Sequence, residues 1–384
     1  MMMRTVLLTF IVMSAGTPAV AQVQLNREDA FNNPSRHAWN LFQIVNHPAR
    51  DPKLGRGLPD LTKKIGEVGT TVVWETWRLS ETEVFLEKGV KPPEWDDLSL
   101  PGGPTTGKVP EPPKAELLKI LTTNPKTRSS RSAIELMRQI KAAQHLFDPN
   151  DGVFRGRGGF GESRMNRATF DFIRSNGLYS IEGQQRYTSE FVAGNKLPLS
   201  FPVESMEIKA GWIEFSDNDI QSQKDKAFYV AEFKGKKYGL AALHIITKDV
   251  PNWFWSTFHH KDAPIPDPQF GHGIGNGDSV GQPASVKGTI WENYRLGGTQ
   301  TNFIESTGAP TMLSDALIEK GFVPSSCISC HARATATPSS EIFPLESRPV
   351  LGAPNPDDFS KSGKPILMQT DFLFSLPIRA KSEK

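Results

Sequence analysis

Cys327, Cys330 and His331 are the residues of this chain whose types and spacing point most directly to chemistry. Two thiols three positions apart, followed at once by histidine, form the attachment pattern of c-type haem. The porphyrin explains the spacing. Its two vinyl groups take up the thiols, which must come from one short turn, and the adjacent imidazole swings under the ring to reach iron. A helical turn suits this task, and Ala332-Arg333-Ala334 can continue one. The expected cofactor is one covalent haem c, held by Cys327 and Cys330, with His331 as proximal axial ligand.

Other chemistries use paired thiols. Thiol–disulfide redox sites follow a strand in a βαβ pattern, and none precedes Cys327. Zinc needs further soft ligands, and the chain has only two cysteines. The ligand opposite His331 decides what such an iron does: methionine raises the potential, histidine lowers it, and an open position admits a substrate. Met368 is the first candidate, in an apolar tail expected to fold back over the haem. His260 and His244 are the alternatives.

Weaker patterns accompany the motif. Gly156 to Gly161 matches G-x-G-x-x-G but follows a helix and a polar turn, so a loop is expected instead of a dinucleotide site. Its neighbours Arg155, Arg157 and Arg164 are candidates for pairing with haem propionates. Trp253, Trp255, Phe258, Trp74 and Trp77 are candidate pocket walls or ordinary core aromatics. Asp262, Glu305 and Asp315 are candidate acid–base groups, although acidic loop residues are usually just solvated.

The elements that must position these residues read as α+β: an antiparallel β-rich body, a few helices and long connections. Segments 70–79, 206–215, 227–233, 238–247 and 253–258 are β-branched and aromatic, as strands are. The run 240–246 is apolar on both faces and suits a central strand. Helices are expected over 132–147, from the Ser132/Glu135 capping box, and over Arg167–Ser175, ended by Asn176-Gly177. Residues 22–68 show no clear periodicity. The proline-rich stretch 92–113 reads as an exposed loop, dividing an N-terminal region (22–125) from a β-rich haem-bearing domain (126–384) whose haem segment is 322–384. Thirty-two glycines and 30 prolines agree with short elements and long loops.

Gly298 to Phe303, Ser325 to Ala334, Met206 to Trp212 and Gly239 to Phe258 together resemble a family of exported bacterial monohaem c-type cytochrome proteins of unassigned role. The likeness covers roughly the C-terminal half. It implies a haem protein on a β-rich body and supplies no substrate. The attachment motif lies too near the C-terminus for a small class I electron carrier, so the haem is expected between the tail and the upstream sheet.

Residues 1–21 read as a signal peptide: Arg4, an apolar run over 6–12, then Ala19-Val20-Ala21 as the cleavage site. The expected location is the periplasm, with no stable membrane insertion. Near-balanced charge (44 basic, 42 acidic residues) gives no reason to expect nucleic acid as partner. A redox partner protein or a small-molecule substrate is expected instead. The favoured function is a periplasmic monohaem c-type cytochrome that transfers electrons. The alternative is a haem enzyme acting on peroxide, a nitrogen oxide or a small organic molecule at an open iron site, and a gas or redox sensor is a third. Intact-mass analysis of exported protein should give a chain starting at Gln22, and retention of Met1 in haem-loaded protein would overturn that expectation.

Overall fold

The computed structural model describes residues 25–99, 159–233, 235–263, 277–313, 315, 326–336 and 351–384. Its centre is one antiparallel sheet of seven strands. β1 (Arg78–Leu79), β2 (Gly159–Met165), β3 (Met206–Glu214), β5 (Lys236–Thr247), β6 (Phe254–His260) and β7 (Tyr294–Gln300) follow in that order, and β4 (Val230–Phe233) also pairs β5. The α+β expectation therefore holds. β5 lies inside the sheet and is buried along nearly its whole length, which its two-sided apolar run requires.

Alternation along the strands sends side chains to two faces. One face meets the N-terminal region. The helix Pro34–Val45 starts with proline in its first turn, where the missing N–H costs nothing, and buries Ala38, Trp39, Leu41, Phe42 and Val45. Phe42 packs on Phe258 at 4.5 Å between centroids and on Trp291 at 5.5 Å edge-on. His37 Nε2 meets Asp249 Oδ2 at 2.9 Å. On the same face the buried Arg164 guanidinium donates to Glu162 Oε2 (2.8 Å) and to the carbonyls of Glu75 (2.7 Å) and Trp77 (3.1 Å). Trp212 Nε1 donates to the other Glu162 oxygen.

Several expectations change here. Residues 70–79 are not one strand: Val73–Thr76 is a 3₁₀ turn and only Arg78–Leu79 joins the sheet. The cause is capture of the backbone carbonyls of Glu75, Thr76 and Trp77 by Arg164 and Arg56, which overrides β propensity. Helices Pro34–Val45 and Ile181–Val192 form in addition to those that the sequence predicts. The second starts at Ser180, whose side chain accepts from Gly183 N, an ordinary cap. Gly159 and Gly161 lie in β2, not in a loop. Residues 92–99 are only partly exposed: Trp95 is buried, and Arg78 donates to the carbonyls of Glu94, Trp95 and Asp97. The described part of the region before residue 100 supplies β1 and shares a hydrophobic core with the strands. The helix expected over 132–147 and the signal peptide lie outside the described residues, as do Arg155 and Arg157. Helix Arg167–Ser175 forms as expected, capped by Asn166, whose side chain accepts from Thr169 N.

Phe42 joins the N-terminal helix to the sheet. Phe42→Ala should cost about 3–5 kcal/mol of stability, as large aromatic deletions in a packed core do. Urea unfolding measures it, and a loss below about 1 kcal/mol would show that the two layers are not coupled through this ring.

Candidate functional site

The opposite face of the sheet receives the cysteine motif and the C-terminal tail. Two adjacent register rows make this platform. One runs Met165, Glu207, Ile246, Trp255, Gln300, and the next runs Ser163, Lys209, His244, Thr257, Gly298. Six of these residues, Gln300, Trp255, Glu207, Ser163, Thr257 and His244, reach segments that arrive after residue 310.

Gln300 anchors the motif. Its side-chain carbonyl accepts from Ile328 N (3.0 Å), and its amide donates to Ser326 Oγ (2.7 Å). Ser326 caps the short helix Cys327–His331 by accepting from Ser329 N. A buried glutamine and a serine thus partner N–H groups that the first helical turn leaves open. Leu313 pairs with Ser326, and its carbonyl accepts from Cys327 N (2.9 Å) and from Cys327 Sγ (3.0 Å). Cys327 is buried and Cys330 partly so. The helix places both thiols and His331 within little more than one turn.

His331 Nδ1 lies 2.7 Å from the Phe372 carbonyl. A carbonyl only accepts, so Nδ1 carries a proton and donates it, which in the neutral tautomer leaves the lone pair on Nε2. Trp255 packs against the imidazole at 4.5 Å and Phe374 meets it edge-on at 5.2 Å. The tail reaches this position by running antiparallel to the chain that leaves the motif. Met368–Gln369 pairs with Thr335–Ala336, Thr370 N donates to Ala334 O, and Gln369 Nε2 donates to Ala332 O. Beyond Phe374, Ser375 Oγ donates to Glu207 Oε1 at 2.6 Å. Arg379 donates to Ser163 Oγ and pairs with Glu81.

No protein-family model, curated protein or solved structure matches this chain. The site therefore rests on its own residues.

The tail does fold back on the motif, and Met368 is buried on the ladder beside it, opposite Ala336. His244 is buried on the platform. Among the described residues its Nε2 has no hydrogen-bond partner; it lies 3.5 Å from Asp315 Oδ2, which also accepts from Thr257 Oγ1. His260 is committed elsewhere. Its Nε2 faces the Ala227 carbonyl (2.8 Å), its Nδ1 accepts from Asp262 N (3.0 Å), and it stacks on Phe228. Burial lowers its pKa to about 4. Both of its ring nitrogens are thus engaged in hydrogen bonds.

Of the five candidate aromatics, Trp255 packs on His331. Phe258 and Trp74 belong to the other face, against Phe42 and Trp212. Trp253 packs on Phe201, and Trp77 lies in the N-terminal layer beside Gly57. Arg164 is paired with Glu162 on the other face of the sheet. Asp262 pairs with Lys261, Glu305 is half-buried at the start of a turn, and Asp315 is fully buried beside Thr257. Sequence reasoning did not find Gln300, Phe372 or Glu207. No local pattern marks them, because each acts on a segment far away in the chain.

Glu207 links the sheet to the tail and also makes the fold sensitive to pH. Burial lifts its pKa to about 7, partly offset by the Ser375 hydrogen bond. A carboxyl with a folded pKa above its unfolded value holds its proton more tightly in the fold. Its contribution is complete below about pH 4.5 and is lost as pH rises through 7, with a slope of at most about 1.4 kcal/mol per pH unit. Urea unfolding at pH 5, 6, 7 and 8 should show stability falling. Glu207→Gln should flatten that fall, and parallel wild-type and variant curves would refute the assignment.

Proposed function

We propose that this chain is a periplasmic monohaem c-type cytochrome that transfers electrons, with haem c joined to Cys327 and Cys330 and His331 as axial ligand. The observation that carries this reading is the His331–Phe372 hydrogen bond. An iron-ligating histidine characteristically gives its second N–H to a carbonyl or carboxylate, which fixes the tautomer and makes the ligating nitrogen more basic. The cysteine helix adds a second fit. Among the described residues no three His, Cys, Asp or Glu side chains gather around one point, so Cys327, Cys330 and His331 do not converge as a zinc cage would. They suit a group that takes two thiols at its edge and an imidazole at its centre.

The bound haem would supply one-electron chemistry, or ligand binding at iron. The chain's own residues hold and tune it. Gln300 and Ser326 fix the helix that presents the thiols, Trp255 and Phe374 hold the imidazole plane, and Phe372 sets its proton. No helix among the described residues is long and apolar enough to cross a membrane.

A haem enzyme with an open iron position is the second reading. A cleft of about 390 Å³ favours it, lined by Phe191, Leu199, Phe359, Leu367 and Phe372, large enough for a small organic molecule and adjoining the residue that holds His331. For the sixth ligand of an electron carrier, Met368 and His244 are the candidates.

Chain produced with the haem-attachment machinery should retain one haem per polypeptide through acid–acetone extraction. Cys327→Ala should lose most of it, and extraction of the colour from wild type would defeat the proposal. The ferrous spectrum with carbon monoxide separates the two readings. An unchanged low-spin spectrum supports electron transfer, with Met368→Ala or His244→Ala, whichever removes the ligand, admitting carbon monoxide. Wild-type protein that binds carbon monoxide supports the enzyme reading.

A further inference from the structure

The carbonyl that meets His331 is presented by a strained turn. Asp371 (φ 47°) and Phe372 (φ 70°) are consecutive non-glycine residues in left-handed conformations. Such residues cost on the order of 1 kcal/mol each or more and persist where their surroundings over-determine them. Here the surroundings are specific. Both Asp371 oxygens are gripped, Oδ1 by Lys248 Nζ at 2.6 Å and Oδ2 by Phe201 N at 2.7 Å. The Lys248 ammonium also donates to the Pro251 carbonyl at 2.7 Å. Both side chains are at least nine-tenths buried. Thr370 and Leu373 close the turn from either side, with Leu373 N donating to Thr370 O and Thr370 Oγ1 donating to Leu373 O.

The grip comes from elements remote in the chain. Lys248 directly follows β5, and Phe201 lies in the segment leading to β3. A buried ion pair is a poor source of net stability, because desolvating both charges offsets their attraction. It is a good way to hold one backbone geometry. The geometry held here is the one that aims the Phe372 carbonyl at His331 Nδ1.

We propose that Lys248 and Asp371 are positioning residues that set the reduction potential of the haem, by holding the Phe372 carbonyl against His331. The proposal rests on the haem reading above. A firm Nδ1–H···O=C bond makes the imidazole a stronger donor and favours ferric iron. Loosening the turn weakens that bond and raises the potential.

Two neutralising substitutions separate positioning from plain charge. Asp371→Asn removes a negative charge and Lys248→Met removes a positive one. Through-space electrostatics would raise the potential in the first and lower it in the second. Positioning raises it in both. Asparagine tolerates the left-handed conformation, so the backbone turn stays accessible. Spectroelectrochemical titration of the full-length haem-loaded proteins should show, in both variants, about a tenfold shift toward the reduced form at fixed ambient potential, equivalent to about 59 mV. Shifts of opposite sign, or no shift, would overturn the proposal. If Asp371→Asn does not fold, Asp371→Gly removes both grips while adopting the same φ without strain, and its potential is read against the same expectation. Haem content is measured first on wild type by the alkaline pyridine assay. A chain without covalent haem defeats the haem reading itself, whereas haem-loaded variants at the wild-type potential defeat only the role of Lys248 and Asp371.

Discussion

The hydrogen bond from His331 Nδ1 to the Phe372 carbonyl joins two points 41 residues apart, and much of the C-terminal structure is organised to make it possible. A carbonyl cannot be aimed by its own side chain. It goes where the backbone turn sends it, so the turn at Asp371-Phe372 must be held from outside. The ladder between Thr335–Ala336 and Met368–Gln369 brings the tail alongside the motif. Lys248 and the Phe201 amide then fix the turn, and Ser375 and Arg379 moor the next residues on the sheet.

The two faces of the sheet do different physical work. On the N-terminal side Phe42, Trp39, Phe258 and Trp291 give an aromatic core whose stabilisation comes mainly from removing apolar surface from water. The platform side carries buried Glu207, His244, Thr257 and Gln300. A buried polar group left unpartnered costs about 1–3 kcal/mol, so such a face favours the one arrangement that supplies partners. The motif helix partners Gln300, and the tail partners Glu207. Docking of these segments is thereby specified by hydrogen bonds more than by area, as suits a site in which one imidazole must keep one orientation.

Much of the sheet was legible because its signals are local. Strands β3, β5 and β6 announce themselves as β-branched and aromatic runs, and helix Arg167–Ser175 carries its Asn166 cap and its Asn176-Gly177 stop. Pro34–Val45 was harder to see. Its first turn has no side-chain cap, and its short apolar stripe stands among polar residues and prolines. Segment 70–79 misled for the opposite reason. Its propensity favours a strand, but Arg56 and Arg164, brought in by the fold, take the carbonyls that a strand would pair.

The sequence by itself determined that Cys327, Cys330 and His331 lie within little more than one turn, and covalent connectivity alone guarantees that they stay together. It also determined that an antiparallel, β-rich body would stand beside them. Tertiary structure decided the partners. Which side chain meets His331, that Gln300 rather than another polar residue anchors the helix, that His260 is engaged by the Ala227 carbonyl while His244 lies beside Asp315, and that Lys248 reaches Asp371 all follow from strand register and from the path of the tail. A shift of one residue in register would turn Trp255 and Gln300 to the opposite face. Register is set by packing summed over the whole sheet, so no short stretch of sequence contains it.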